Sequence, residues 1–246
     1  MGSHVTARGG CAGYPTRLAS PYTFKASPHS SHSRLLDLLP APPRGGTRVL
    51  DVGCGPGYLC EALRDRGYSV TGIERAGWGP TAGSRGYALV EADLDLGLPS
   101  TLDGVFDVIV CADILEHLRD PASLLRQLRA RLAPGGRLIA SLPNSGHLYF
   151  RLVVLSGRFP KRDKGLFDQP HLHFFTWAGW QELLRQGGLA VREVHSTGVP
   201  VGLLLPGREG NLAIRAAEGL SYLMAGLRKQ LFAYQFVVVA TAPDKA

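Results

Sequence analysis

The stretch Arg48-Val49-Leu50-Asp51-Val52-Gly53-Cys54-Gly55-Pro56-Gly57-Tyr58 decides the architecture. Residues 48–52 are a compact apolar run of the kind buried on both faces of a parallel sheet. Glycines follow at alternate positions, 53, 55 and 57. From Tyr58 the spacing turns helical, with Leu59, Ala62 and Leu63 on one face and Glu61, Arg64, Asp65 and Arg66 on the other, until Gly67 stops it. A strand has become a tight turn and then a helix. Glycine lacks a Cβ, so backbone N–H groups in such a turn can touch a ligand directly. The helix that follows offers its positive end to a carboxylate or phosphate.

With 246 residues, 45% of them hydrophobic, the chain fits one large domain or one domain with an inserted cap. A formal charge of +7 favours anionic small ligands. There is no long Lys/Arg run and no basic patch interleaved with aromatics, which argues against nucleic acid. Cys11, Cys54, Cys60 and Cys111 form no C-x-x-C pair and read as reduced thiols. Residues 1–33 lack an apolar signal-peptide core, and the longest apolar run near the C-terminus, 236–242, is too short to cross a bilayer. A cytoplasmic protein is expected. Residues 1–20 read as a flexible tail, with Gly2-Ser3-His4 resembling a tag remnant, and 21–246 as one domain.

Outward from the glycine turn, 68–74 is a β-branched strand ending in Glu74. Glu74 stands 21 positions beyond Gly53, the spacing at which an acid at the end of a second strand accepts hydrogen bonds from ribose hydroxyls. The dinucleotide fingerprint needs its third glycine where Tyr58 stands, which disfavours NAD and a dehydrogenase. Residues 87–90 form a third strand running into Glu91-Ala92-Asp93-Leu94, and 105–111 a fourth, central one. Beyond it, Asp113, Glu116 and His117 stand at i, i+3 and i+4, so a helix would put all three on one face. Asp120 and Pro121 open a helix expected to run through Leu132, and Ala133-Pro134-Gly135-Gly136 to end it before a fifth strand at 137–142.

The stretch 143–176 does not look like sheet scaffold, carrying Tyr149, Phe150, five basic residues and the run Asp168-Gln169-Pro170-His171-Leu172-His173. Thr176 caps a helix to Gln186, and 189–194 is a sixth strand. In 212–230, Leu212, Ala216, Leu220, Leu223 and Leu227 line one side of an amphipathic helix, expected to pack on the core, with membrane-surface contact the less favoured reading. Residues 231–241 read as the last strand, paired with the sixth.

The run VLDVGCGPG resembles the first motif of class I S-adenosylmethionine (SAM) dependent methyltransferases. With ADLD, DILEHLRDP, RLAPGGRLIASLPN, LSGRF and HLHFFT, the chain from about 22 to 194 is similar to their MetW-like branch. The resemblance implies an α/β fold with a doubly wound, mostly parallel seven-stranded sheet, Rossmann-like, carrying a helical insertion after the fifth strand, about 143–176, as a substrate cap. It implies SAM as cofactor, cradled by Asp51, Gly53, Cys54, Gly55 and Gly57, with Glu74 on the ribose, and Asp93, for which Asp95 could substitute, at the adenine amino group. Leu94 would pack on the adenine, and Cys111 and Asp113 would stand at the crevice end of the fourth strand. A segment such as 21–39, with Lys25, His29 and His32, often closes over the cofactor in the family; a solvated surface helix is an equal reading. Gly77-Trp78-Gly79-Pro80 departs from the family, where a regular helix opens.

The function expected is methyl transfer to a hydroxyl of a small acceptor in a natural-product, glycan or cell-envelope pathway, an anionic acceptor being favoured by the positive charge. In-line attack on the methyl group would be helped by positioning and by a base. Histidine suits that task near neutral pH. His171 and His173 alternate and would share a face of an extended segment, and His117 competes with them. Asp113, Glu116 and His117 resemble a cluster that certain quinone O-methyltransferases use for a divalent ion, but a helix-orienting role is preferred and no metal is expected. The rival reading is a non-catalytic SAM-binding accessory subunit of a methionine-biosynthesis acyltransferase. Partners expected are the acceptor and a second copy in a homodimer, with no nucleic acid and no integral membrane segment.

Overall fold

The computed structural model describes residues 30–42, 46–79, 86–163, 165–204 and 211–243; the expected tail and most of the segment 21–39 before His32 lie outside them. The strands are β1 (Arg48–Val52), β2 (Ser69–Glu74), β3 (Ala88–Glu91), β4 (Phe106–Ala112), β5 (Leu132–Pro143), β6 (Ala190–Ser196) and β7 (Gln235–Thr241). They form one sheet in the order β3, β2, β1, β4, β5, β7, β6. The pairs from β3 across to β5 are parallel, and β7 alone runs antiparallel to its neighbours β5 and β6. The order reverses between β1 and β4, which places a ligand crevice beyond the C-terminal ends of those two strands.

The helices are α1 (Ser31–Asp37), α2 (Tyr58–Asp65), α3 (Pro121–Ala130), α4 (Leu148–Leu155), α5 (Trp177–Gln186), α6 (Val201–Leu204), α7 (Leu212–Leu227) and α8 (Lys229–Phe232). Successive residues of a strand point to opposite faces, and the sheet uses both. Leu50, Ile109, Leu138, Ala140 and Val238 pack with Leu124, Leu125 and Leu128 of α3 and Trp180, Leu183 and Leu184 of α5. Their neighbours Val49, Val108, Val110, Ile139, Val237 and Val239 pack with Leu35 and Leu36 of α1 and Leu59, Cys60 and Leu63 of α2. A third, smaller core of Phe150, Leu166 and Phe167, flanked by Val153, Phe174 and Tyr234, belongs to the stretch after β5. There Phe150 and Phe167 stack at 4.4 Å between centroids, with Phe159 edge-on to both.

Four expectations are corrected. The helix that Pro121 opens ends at Ala130, and Ala133 to Gly136 continue β5 rather than separating helix from strand. The register of β4 on β5 slips between Phe106 and Val108, and Gly135 sits at φ 76°, so the strand absorbs the Pro-Gly-Gly run as an irregularity. Leu231 and Phe232 belong to α8, and β7 begins only at Gln235, where pairing with Pro143 starts. The leucine side of α7 does not pack on the core: Leu212, Leu220, Leu223 and Leu227 are 79, 61, 59 and 71% exposed, and Ile214 and Ala225 are the helix's buried residues. Residues 113–118 form no α-helix. Asp113 has φ 52°, a left-handed backbone, and Leu115–His117 is a single 3-10 turn, so Asp113 does not share a face with Glu116 and His117.

Candidate functional site

Two polar centres lie where the parallel strands end. The first is the glycine turn. Gly53, Gly55 and Gly57 all have positive φ, at 73°, 52° and 87°. The N–H groups of Gly53 and Cys54 both donate to the Ile73 carbonyl, at 2.9 and 3.0 Å, which stitches the turn to β2. A Cβ on Gly53 would lie 2.6 Å from Ile114 Cγ1, so the turn is pressed against the segment leaving β4. A Cβ on Gly55 would meet nothing within 4 Å. That open flank, followed by the N-terminus of α2, is a cradle that fits the aminoacyl end of SAM.

Glu74 reaches the same turn. Its Oε2 accepts the Gly55 N–H at 2.7 Å and its Oε1 the Arg75 N–H at 2.8 Å. A carboxylate oxygen has a second lone pair, so Glu74 can brace the turn and still accept from ribose hydroxyls. Asp93 accepts from the Asp95 N–H and from Arg75 Nη2, both at 3.1 Å, and is partly exposed beside β3. Asp51 is 1% exposed on the face of β1 towards α2, where Cys60 Sγ lies 3.2 Å from its Oδ2. Burial pushes its carboxyl up to about 7; the Cys60 contact opposes this and nearby Glu74 adds to it. Cys54 is buried in the core with Cys60. Leu94 and Cys111 are buried in the core with α3 and α5, and burial raises the Cys111 thiol well above its usual range.

The second centre is built from side chains. Leu172 and His173 donate their N–H groups to the Glu116 carbonyl at 2.9 and 3.2 Å, which folds the stretch after β5 back onto the 3-10 turn. His171 Nε2 then lies 3.8 Å from Glu116 Oε1 and 4.0 Å from Asp168 Oδ2, all three side chains nearly inaccessible. His117 meets His171 edge-to-face at 4.8 Å, and its Nδ1 hydrogen-bonds to the Pro170 carbonyl at 3.2 Å. Burial lowers the pKa of both imidazoles, that of His171 to about 4, with His117 lowering it further and Asp113 partly offsetting. Both are neutral at pH 7.

His173 parts company with His171. Its Nε2 bonds to the Leu118 carbonyl at 2.8 Å and its ring stacks on Phe175 at 5.2 Å, the pattern of a structural imidazole. Asp113 accepts a short hydrogen bond from Ser141 Oγ and one from Gln235 Nε2 at 2.8 Å. These bonds hold its left-handed backbone. The Tyr234 phenol is pushed up to about 12, chiefly by burial, with Asp113 and Asp168 adding. Ser141, Asp168, Tyr234 and Gln235 escaped sequence reading; only the polar cluster preceding His171 hinted at Asp168. A cleft of about 520 Å³, lined by Ser145, Gly146, Phe150, Arg151, Val154, Leu155 and Thr176, opens beside α4.

Glu116, His117 and His171 each offer one ligand atom, all within 4.8 Å of one another. A carboxylate with two neutral imidazoles is a donor set that a divalent cation accepts.

A methyltransferase domain family matches residues 26–194. The chain is 35% identical over 162 residues to the ubiquinone biosynthesis O-methyltransferase of Aeromonas salmonicida, covering 61% of this chain and 65% of that one. It is 35% identical over 124 residues to the enzyme of the same name from Pseudomonas aeruginosa, covering 46% and 52%. The chain thus spans between about half and two thirds of the length of these relatives. Among solved structures, a SAM-dependent methyltransferase from Archaeoglobus fulgidus superposes with a TM-score of 0.57 at 19% identity, covering 85% and 91% of the two chains. One from Mesorhizobium loti gives 0.54 at 21%, covering 86% and 97%. At such identities the likeness is one of fold. The chain therefore belongs to the methyltransferase domain family, and its glycine turn and seven-stranded sheet build a class I SAM-dependent methyltransferase domain.

Proposed function

We propose that the protein transfers the methyl group of SAM to a hydroxyl of a small-molecule acceptor in the cytoplasm, with His171 as the base. The observation that carries this reading is the meeting of His171 with Glu116 and His117 next to the segment whose Ile114 presses on Gly53. Gly53, Gly55, Gly57 and Glu74 hold the cofactor, whose sulfonium supplies an electrophilic methyl group. His171 is neutral at working pH and can accept the hydroxyl proton as oxygen attacks. Glu116 and Asp168, within 4 Å of Nε2, offset part of the burial cost of the imidazolium that results. The O-methyltransferase names of the relatives support oxygen as the acceptor atom. The cleft beside α4, with Arg151 in its lining, suits an acceptor with an apolar body and an anionic end.

Mass-spectrometric screening of phenolic and aliphatic hydroxyl compounds with SAM tests this reading; a methyl ether product is expected. SAM binding without turnover on any acceptor would favour the non-catalytic accessory subunit. A second reading gives Glu116, His117 and His171 a divalent cation, which would acidify an acceptor hydroxyl. We favour the proton-accepting role, because burial keeps His171 neutral and so able to take a proton at pH 7. Prolonged EDTA treatment is therefore expected to leave activity largely intact; loss on chelation with recovery on adding Mg²⁺, Mn²⁺ or Zn²⁺ would make the cluster a metal site.

A further inference from the structure

β6 and β7 pair in antiparallel register up to Ser196 opposite Phe236, so a short hairpin would join them. The chain instead makes the excursion 197–234, which lies outside the stretch that the methyltransferase family matches. Its main element, α7, fastens to the body through one side. Ile214 and Ala225 are buried, Glu218 Oε1 accepts the Gly202 N–H at 2.9 Å, Ser221 Oγ accepts the Val199 N–H at 2.8 Å, and the Tyr222 hydroxyl accepts from Arg34 at 3.1 Å. The opposite side carries Leu212, Leu220, Leu223 and Leu227, all more than half exposed. Helical spacing keeps them in one stripe along about 24 Å. So long an apolar stripe in water marks a contact surface.

The charges around the stripe decide what it contacts. The helix's one acid, Glu218, is turned inward and bonded, while Arg215 and Arg228 are exposed and flank the stripe near its two ends. α4 repeats the pattern, with Leu152 and Leu155 exposed between Arg151 and Arg158. The two excursions are joined at Asn144, fully buried, whose side chain bonds both the Gln230 carbonyl and the Gly146 N–H. A second copy is a poorer occupant, because antiparallel pairing of two α7 stripes would set Arg215 of one copy towards Arg228 of the other.

We propose that α7 is the docking surface for an anionic lipid bilayer. The helix lies in the interfacial plane, the leucines enter the acyl boundary, and Arg215 and Arg228 meet headgroup phosphates. The protein is held at the surface without crossing it; no helix among the described residues is long and apolar enough to span a membrane.

Sedimentation of the full chain with phosphatidylcholine vesicles, with and without about one third phosphatidylglycerol, tests this. Binding is expected to the anionic vesicles, weakly to the neutral ones, and to fall with added salt. Combining Leu220→Glu with Leu223→Glu, or Arg215→Glu with Arg228→Glu, should each lower binding to anionic vesicles by about tenfold or more. Melting temperature and SAM affinity should stay unchanged, since these side chains face solvent. Failure of the parent protein to sediment with anionic vesicles would overturn the proposal, as would full binding by the leucine variant. A dimer in solution that the leucine substitutions split, with no vesicle binding, would assign the stripe to a second copy instead.

Discussion

The two polar centres at the strand ends are constructed in opposite ways. The glycine turn works through backbone: its N–H groups and its empty flank lie within a dozen consecutive residues, and one distant carboxylate, Glu74, completes it. The histidine centre works through buried side chains drawn from segments more than fifty residues apart in sequence, held together by hydrogen bonds to the Glu116 carbonyl. A backbone site tolerates changes in most neighbouring side chains but fails when a glycine gains a Cβ. A side-chain site fails one group at a time, and its charge balance depends on pH.

The sharpest way to break the contrast is within the histidine pair. His171→Ala should lower turnover by about 100- to 10,000-fold with SAM affinity kept in calorimetric titration. His173→Ala should leave turnover close to the parent value and cost about 1 kcal/mol of stability for the lost bond to Leu118. Equal loss from both would mean that proximity to Glu116 does not select the base. On the backbone side, Gly53→Val should destabilise the fold by about 2–4 kcal/mol, since a β-branched side chain at φ 73° must also displace Ile114. Denaturant unfolding reads this directly, and an unaltered midpoint would show that the turn can relax.

Glu74→Ala touches the one side chain the glycine turn relies on. It should weaken SAM binding by about 1.5–3 kcal/mol through loss of a charged acceptor. Unchanged affinity in titration would remove Glu74 from the cofactor site.

A further test separates the two centres by pH. His171 has a folded pKa of about 4 against 6.5 when unfolded, so below pH 6.5 the unfolded chain takes up a proton that the fold refuses. That group's stability contribution is complete above 6.5 and is lost as pH falls towards 4. Asp51 acts in the opposite direction, because its folded pKa near 7 lies above the unfolded 3.8; its contribution is present at low pH and is lost as pH rises from 3.8 to 7. Between pH 4 and 6.5 the two oppose each other. Replacing His171 by Gln should therefore make the variant gain stability, relative to the parent, as the medium is acidified. Parallel melting curves against pH for the two proteins would contradict the low pKa assigned to His171.

The glycine turn was legible because everything it needs is local: apolar run, glycines and helix phase sit in one stretch, and Glu74 follows at a fixed spacing. The seven strands could be located for a similar reason, since most hold a short apolar run near turn residues, although β5 and β7 begin elsewhere than the sequence suggests. What escaped depended on how distant segments meet. Spacing placed Asp113 with Glu116 and His117 on an α-helix, but the left-handed backbone at Asp113 turns its carboxylate to Ser141 and Gln235, and His171 takes its place. Periodicity likewise showed that α7 has an apolar side without showing which side faces in. Ile214, Ala225 and a set of polar bonds anchor it, and the leucines face out. Leu231 and Phe232 read as strand because an apolar run carries no mark of where pairing starts.

The position of β7 has a consequence for the order in which the protein assembles. β6 is made before β7 yet, among the described residues, pairs with no strand but β7, which lies between it and β5. During synthesis β6 and the helices of the excursion 197–234 must wait, with the edge of β5 uncovered, until residues 235–241 emerge. Closure of that side of the sheet is then a late, long-range event spanning nearly a hundred residues between β5 and β7. Such events dominate folding times, so the nascent chain relies on short-range units, β1 with α2 and β4 with α3, to hold a compact half while the other half is completed.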